Sequence, residues 1–271
     1  MQIQDRAQRL SKAAQCPLFV YFAENEKEPE MESRVLIREH FLDVYVNEIK
    51  VLSLVCTATD LPYLVLGRLL TEGIIERAEN VEVISLCERG CVAKVFLKEK
   101  VQIKPLDKRE PSCCTGNRVF AGNAAQKKLT RLPKINWRPE WIFSMAEEFG
   151  KDSGLHKKTG GTHSCYLGVE GKCVYSSEDI GRHNALDKCI GYMLQAGLDS
   201  KKCMLFTTGR VPTDMAEKVI AAGVPVLISK AVPTENAVLL AREYELNLIC
   251  RAWPDRFEVY QDSRAGEQNG N

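Results

Sequence analysis

The sequence predicts an α/β chain in two parts, a smaller α+β roll followed by a longer region in which strands alternate with helices. Three observations carry that expectation. Before residue 100 apolar residues recur with period two, interrupted by one helical stretch near 61–70. Beyond residue 139, short apolar runs alternate with amphipathic segments and glycine-containing loops. Between them Pro111-Ser112-Cys113-Cys114-Thr115-Gly116 sits between a charged and a basic, polar segment. The expected divisions are an N-terminal arm 1–35, the roll 36–110, a cysteine loop and connecting segment 111–138, the second domain 139–262 and a polar tail 263–271.

In the roll, Leu42, Val44 and Val46 alternate with Asp43, Tyr45 and Asn47, the pattern of a half-buried strand. Asn47-Glu48 turns the chain into a second apolar run, 51–55. Asp60 is the expected N-cap of a helix with Pro62 in its first turn, Leu61, Leu64, Val65, Leu69 and Leu70 on its buried face and Gly73 as its stop. Two more strands, 81–86 and 91–97, join through Glu88-Arg89-Gly90. Cys87 and Cys91 flank that turn. Without a second pair their spacing is a weak metal signal, and two small buried residues in facing strands is the preferred reading.

In the second region, an amphipathic helix over 141–149 is followed by Thr159-Gly160-Gly161-Thr162-His163 and by strands at 164–169 and 173–176. Glu178-Asp179-Ile180-Gly181-Arg182-His183-Asn184 leads into a helix for which Asn184 and Asp187 resemble a capping box. Its N-terminus, with Arg182 and His183, outlines an anion site. Strand, loop and helix then repeat: 204–207 with Thr208-Gly209-Arg210 and a helix from Thr213, then 224–229 and a helix capped by Thr234. Strands at 246–250 and 257–260 end the pattern. Such connections imply parallel neighbours whose ligands gather at the strands' carboxyl ends, where Arg210, Lys230, Arg251 and Arg256 would suit phosphates. His40 and His156 are expected to be structural or exposed.

The 37 Lys and Arg against 36 Asp and Glu leave a net charge of +1, so no global field draws the chain to nucleic acid or a membrane. Eleven cysteines, an odd number at low density, point to reduced thiols. No apolar run approaches the roughly 20 residues that span a bilayer, and 1–15 lacks a signal-peptide core. A soluble, cytoplasmic protein is expected.

The runs 159–163, 178–188, Thr208-Gly209-Arg210, Ala222-Gly223-Val224-Pro225 and Arg256-Phe257-Glu258-Val259-Tyr260, with Gly67-Arg68-Leu69-Leu70-Thr71-Glu72-Gly73 upstream, resemble the formate dehydrogenase accessory sulfurtransferase family, FdhD/NarQ, over about residues 36–260. The resemblance implies a second domain with a cytidine-deaminase-like three-layer fold, and a homodimer. It also implies a sulfurtransferase that carries persulfide sulfur from a cysteine desulfurase to the molybdenum cofactor of formate dehydrogenase. That cofactor, bis(molybdopterin guanine dinucleotide), is carried cargo, and no metal site of the protein's own is expected. By this likeness Cys113 and Cys114 bear the sulfur. Gly160, Gly161, His163, Asp179, Gly181, Arg182, His183, Asn184, Gly209 and Arg210 contact the guanine-nucleotide-containing cofactor, as does the run Arg251, Ala252, Trp253, Pro254, Asp255 and Arg256.

Two features depart from the family pattern. Adjacent Cys113-Cys114 replaces a spaced Cys-x-x-Cys, which leaves open which thiol carries sulfur, and Trp253 stands in a segment that is commonly glycine-rich, where it either stacks on a base or packs at the sheet edge. Two other functions compete with this one. A zinc deaminase needs His-x-Glu and Pro-Cys-x-x-Cys, and the chain offers only His163-Ser164-Cys165. A chaperone that binds cofactor or apo-enzyme without moving sulfur is the alternative that the altered cysteines keep open.

Overall fold

The computed structural model describes residues 1–7, 10–22, 28–99, 103–109, 117–123, 129–151 and 154–264. Cys113 and Cys114 lie outside the described residues. In chain order the first part runs β1 (Gln2–Asp5), β2 (Ala13–Val20), β3 (Glu30–Ile37), β4 (His40–Val46), β5 (Ile49–Cys56), α1 (Leu61–Thr71), β6 (Val81–Leu86), β7 (Val92–Leu97), β8 (Ile103–Arg109) and β9 (Arg118–Asn123). The second runs α2 (Pro139–Lys151), α3 (Leu155–Thr159), β10 (His163–Val169), β11 (Lys172–Asp179), α4 (Arg182–Gln195), β12 (Cys203–Thr207), α5 (Thr213–Ala221), β13 (Val226–Ser229), α6 (Glu235–Glu243), β14 (Asn247–Trp253) and β15 (Arg256–Gln261).

Seven strands form the first sheet, in the order β1-β6-β7-β4-β5-β9-β8. The hairpin, helix, hairpin succession expected from period two is present as β4-β5, α1 and β6-β7, with β4 and β7 parallel at the centre. The segment expected as an arm holds three strands. β1 extends the sheet beside β6, and β2 and β3 make a separate antiparallel ribbon. The expected boundary between residues 110 and 111 falls between β8 and β9, two neighbours in the first sheet. β8 and β9 pair with each other, Arg109 opposite Arg118, and β9 joins β5, so residues 110–117 connect two strands of the first sheet.

The second sheet runs β11-β10-β12-β13-β14-β15, with β12, β13 and β14 parallel, as strand-helix alternation requires. Strand periodicity divides its core. Cys165, Leu167, Leu205, Leu227 and Leu248 face the side of α4, α5 and α6, whereas Tyr166, Phe206, Ile228 and Ile249 pack with Ile142, Met145 and Ala146 of α2.

α1 and α4 join the two parts by backbone approach. A Cβ on Gly67 would stand 1.9 Å from the Asp187 carbonyl oxygen, and one on Gly191 would stand 1.9 Å from that of Tyr63, so only glycine permits this crossing. Two expected caps differ. Asp60 adopts φ 49° and makes no side-chain cap. α4 begins at Arg182 after Gly181, and Asn184 and Asp187 reach other elements rather than closing a capping box. Thr234 caps α6 as expected, accepting from the Ala237 N–H. No helix among the described residues is long and apolar enough to cross a membrane.

Candidate functional site

The run Glu178 to Lys188 is the hinge of the site's construction. Asp179 is fully buried. Its Oδ2 accepts from the Thr57 N–H (3.0 Å) and Lys188 Nζ (2.6 Å), and its Oδ1 accepts from the Gly181 N–H (3.0 Å) and Asn184 Nδ2 (2.9 Å). Lys188 Nζ also donates to the Thr57 and Glu178 carbonyls and to Thr59 Oγ1. Asn184 Nδ2 donates to the Val55 carbonyl (2.8 Å), and its Oδ1 accepts from Asn117 Nδ2 (2.9 Å). Asn117 Oδ1 in turn accepts from the Val55 N–H. Asp187 accepts from Arg68, Thr71 and Lys218, tying α4 to α1 and α5. Buried charge persists only where bonds of this kind compensate it.

Asp179, Gly181, His183 and Asn184, expected as cofactor contacts, are therefore at most 1 % exposed or within the buried helix start, and their visible bonds are internal. His183 Nε2 lies 3.2 Å from Asp214 of α5. Two of these side chains, Asp179 and Asn184, clasp the two parts together, as Lys188 and Asp187 do from the same run.

At the carboxyl ends of β12–β14 two adjoining clefts open. The first, about 430 Å³, is lined by Gly160, Gly161, Thr162, His163, Thr208, Lys230 and Trp253 among others, and the second, about 390 Å³, by Lys230, Arg251, Trp253, Arg256 and Glu258 with Val232. Both volumes fall in the range of small-molecule sites. Lys230 Nζ stands 4.7 Å from the ring centres of both Phe149 and Trp253, so one ammonium between two aromatic faces forms the wall common to both clefts.

Local structure places these groups. Thr208 bonds Ser164 reciprocally, N–H to carbonyl and hydroxyl from N–H, each at 3.0 Å, which sets His163 beside the loop after β12. Gly160 takes φ 64°, with open space where a side chain would stand. Glu178 accepts from the Leu155 and His156 N–H groups, both at 2.6 Å, and holds α3 against the cleft. Gly209 is buried, and a Cβ there would meet the Arg182 stem at 2.9 Å, so Arg182 lies along the Gly209 backbone. Burial, followed by the charges of Arg182, His156, His183 and Arg210, holds the His163 imidazole below its ordinary value. Cationic side chains thus surround His163.

Of the expected contacts, Gly160, Gly161, His163, Arg251, Trp253 and Arg256 line the clefts. Arg210 is exposed just beyond β12, and Pro254 and Asp255 form the exposed β14-β15 turn. Ala252 is buried in the core against α2 and is not available to a ligand. Trp253 is 37 % exposed, over the cleft rather than packed away. His156, expected to be structural or exposed, is exposed and also lines the first cleft. Phe149, Thr162 and Thr208 were missed, and Lys230 was read only as one more terminal cation; no spacing rule links residues on four separate elements.

A profile of the FdhD/NarQ family matches residues 37–265. A protein named sulfur carrier protein FdhD from Listeria monocytogenes is 31% identical over 237 residues, 85% of this chain and 90% of that relative. One of the same name from Halalkalibacterium halodurans is 32% identical over 229 residues, 82% of this chain and 85% of the relative. The crystal structure of a protein described as a formate dehydrogenase accessory protein from Desulfotalea psychrophila matches with TM-score 0.74 at 22% identity, covering 93% of this chain and 97% of that one, a likeness of fold. With a family profile over most of its length and relatives above 30% identity, the chain belongs to the FdhD/NarQ family.

Proposed function

We propose that this protein is a sulfur carrier in formate dehydrogenase maturation, in keeping with relatives named sulfur carrier protein FdhD. In this reading a thiolate at Cys113 or Cys114 attacks the outer sulfur of a cysteine desulfurase persulfide. The donor S–S bond breaks, the donor thiolate leaves, and the carrier holds the sulfur as its own persulfide. The carrier's S–S bond then breaks with two electrons from a low-molecular-weight thiol reductant, and the carrier cysteine returns to its thiolate. The outer sulfur passes to bis(molybdopterin guanine dinucleotide), cargo that would bind at the two clefts and is destined for formate dehydrogenase. The guanine would stack on Trp253, and the phosphates would meet Lys230, Arg251, Arg256 and the surroundings of His163.

The observation that supports this reading most directly is the bond from Asn117 to Asn184. Asn117 directly follows the cysteine segment, and Asn184 lies in the first turn of α4, two residues after the Arg182 whose stem lies against Gly209, the neighbour of cleft-lining Thr208. One end of the sulfur-bearing segment is thus fastened to the helix that borders the cargo site. Homodimer formation belongs to the same proposal, and the β2-β3 ribbon, with Phe19 and Met31 paired and both largely exposed, offers an apolar face for it.

The test is loading with a cysteine desulfurase and radiolabelled cysteine, comparing the wild type with Cys113→Ala, Cys114→Ala and the double variant. Label is expected on the wild type and lost in the double variant. Label retained by the double variant overturns the assignment. Rescue of formate dehydrogenase by that variant establishes instead the alternative, a cofactor-binding chaperone that moves no sulfur.

A further inference from the structure

Cys87 and Cys91 differ from the two small buried residues in facing strands that the sequence predicts. Both are partly exposed, and their sulfurs lie 3.7 Å apart at the two ends of one tight turn. That turn is firmly held. The Gly90 N–H donates to the Cys87 carbonyl (2.8 Å), the Cys87 N–H to the Val92 carbonyl (3.0 Å), and His40 Nε2 bonds the Gly90 carbonyl (2.8 Å). Gly90 itself has φ 64°, and a Cβ there would strike Leu10. A disulfide requires the sulfurs to close by only about 1.7 Å, to the usual bond length of about 2.05 Å.

Cys87 opens on a cleft of about 480 Å³ lined also by Arg6, Arg89 and Lys94, with Glu88 as the opposing charge. Its thiol is chemically distinct from its neighbours. Burial works to raise it, but the backbone N–H groups around the turn and the Cys91 thiol outweigh that and hold it below its ordinary value, whereas Cys91 is raised. Burial pushes Cys203 up to about 11 and Cys250 up to about 12 and carries Cys56 and Cys165 upward too.

We propose that Cys87 and Cys91 form a thiol–disulfide exchange site, separate from the Cys113-Cys114 segment, whose substrate is an anionic low-molecular-weight disulfide. The Cys87 thiolate attacks one sulfur of that disulfide, forming a mixed disulfide and releasing one small thiolate. Cys91, losing its proton to solvent, attacks the Cys87 sulfur, forming the Cys87–Cys91 bond and releasing the second thiolate. Two protein thiols are oxidised and one small disulfide is reduced to two thiols. The cationic lining favours a carboxylate-bearing partner, and the turn holds the resolving sulfur in place.

Because Arg89 lies between the two cysteines, trypsin separates peptides 78–89 and 90–94, and the disulfide is read as their linkage by mass spectrometry. Full-length protein is incubated with oxidised glutathione, blocked with iodoacetamide and digested. The expected result is a linked pair, reversed by dithiothreitol, that forms equally in the Cys113→Ala/Cys114→Ala variant. Cys91→Ser is expected to trap one glutathione on Cys87, and Cys87→Ser to leave Cys91 alkylating several-fold more slowly than Cys87 does in the wild type. The proposal is overturned by single mixed disulfides without linkage in the wild type, by two unmodified thiols, or by stoichiometric zinc that must be chelated before either cysteine reacts.

Discussion

Gly67→Ala tests whether the two parts are joined by backbone contact between α1 and α4. The added carbon would stand 1.9 Å from the Asp187 carbonyl oxygen, and an ordinary close carbon–oxygen approach is about 3.3 Å, so the helices must part by roughly 1.4 Å. That displacement stretches the bonds that Asp187 accepts from Arg68 (3.2 Å) and Thr71 (2.9 Å), both donated from α1. Overpacking costs about 1–3 kcal/mol, and weakening bonds to a buried carboxylate costs about 1.5–3 kcal/mol more, so a loss of about 3–5 kcal/mol is expected. Urea denaturation followed by tryptophan fluorescence measures it. Gly191→Ala meets the Tyr63 carbonyl oxygen at the same crossing and should cost a similar amount, while the double variant should cost less than the sum, since one separation relieves both clashes. A loss below about 1 kcal/mol for either single variant, or strict additivity, would refute the reasoning.

Lys188→Met leaves the Asp179 carboxylate buried without its closest cation and should destabilise by about 3–5 kcal/mol in the same assay. Lys230→Ala removes the cation between Phe149 and Trp253 and should weaken guanine-nucleotide binding about tenfold by calorimetry, or about 1.4 kcal/mol; unchanged affinity would remove Lys230 from the cleft's function. His163, held below its ordinary value of about 6.5, gains its proton in the folded state only below that pH. Nucleotide binding should therefore strengthen on acidification below that point, and this gain should vanish in His163→Gln. The unfolded chain takes up the same proton first, so stability should fall as pH drops below about 6.5, and by less in His163→Gln. Asn184→Ala should leave persulfide loading intact but slow delivery, because it releases Asn117; delivery at the wild-type rate would dissociate that anchor from transfer.

Much of the fold was legible because burial on one face imposes its period on the chain. The β4-β5 and β6-β7 hairpins, α1, and the β12-to-β14 alternation all follow from apolar spacing, and Thr234 announces α6. What was not legible depends on distant partners. α3 is five residues long, too short for a period, and its N-terminal N–H groups are satisfied by Glu178, more than twenty residues further along the chain. Asn184 and Asp187 have the spacing of a local cap, but Val55, Asn117, Arg68 and Thr71 compete for them and win. The clefts show the same division. Terminal arginines and glycines could be predicted from the parallel connections, whereas Lys230 acquires its role only when Phe149 and Trp253 arrive from α2 and β14. Spacing raised the pair Cys87 and Cys91, and only the folded turn shows their sulfurs facing each other.

The most recognisable run of the sequence thus does two jobs with interleaved residues. Glu178 supports α3 at the cleft, Asp179, Asn184 and Lys188 grip the first part, Arg182 lies along Gly209, and Asp187 fixes α1. Interleaving has a mechanical consequence. If the proposed function holds, sulfur transfer between the first part and the clefts of the second sheet depends on how the two parts are held. The residues that clasp them are sequence neighbours of Arg182 and Glu178, which support the cleft. Loss of activity on substituting this run therefore does not identify a ligand contact. Affinity for nucleotide separates the roles, since a clasp residue should spare it while the transfer rate falls, and a cleft residue should lower both.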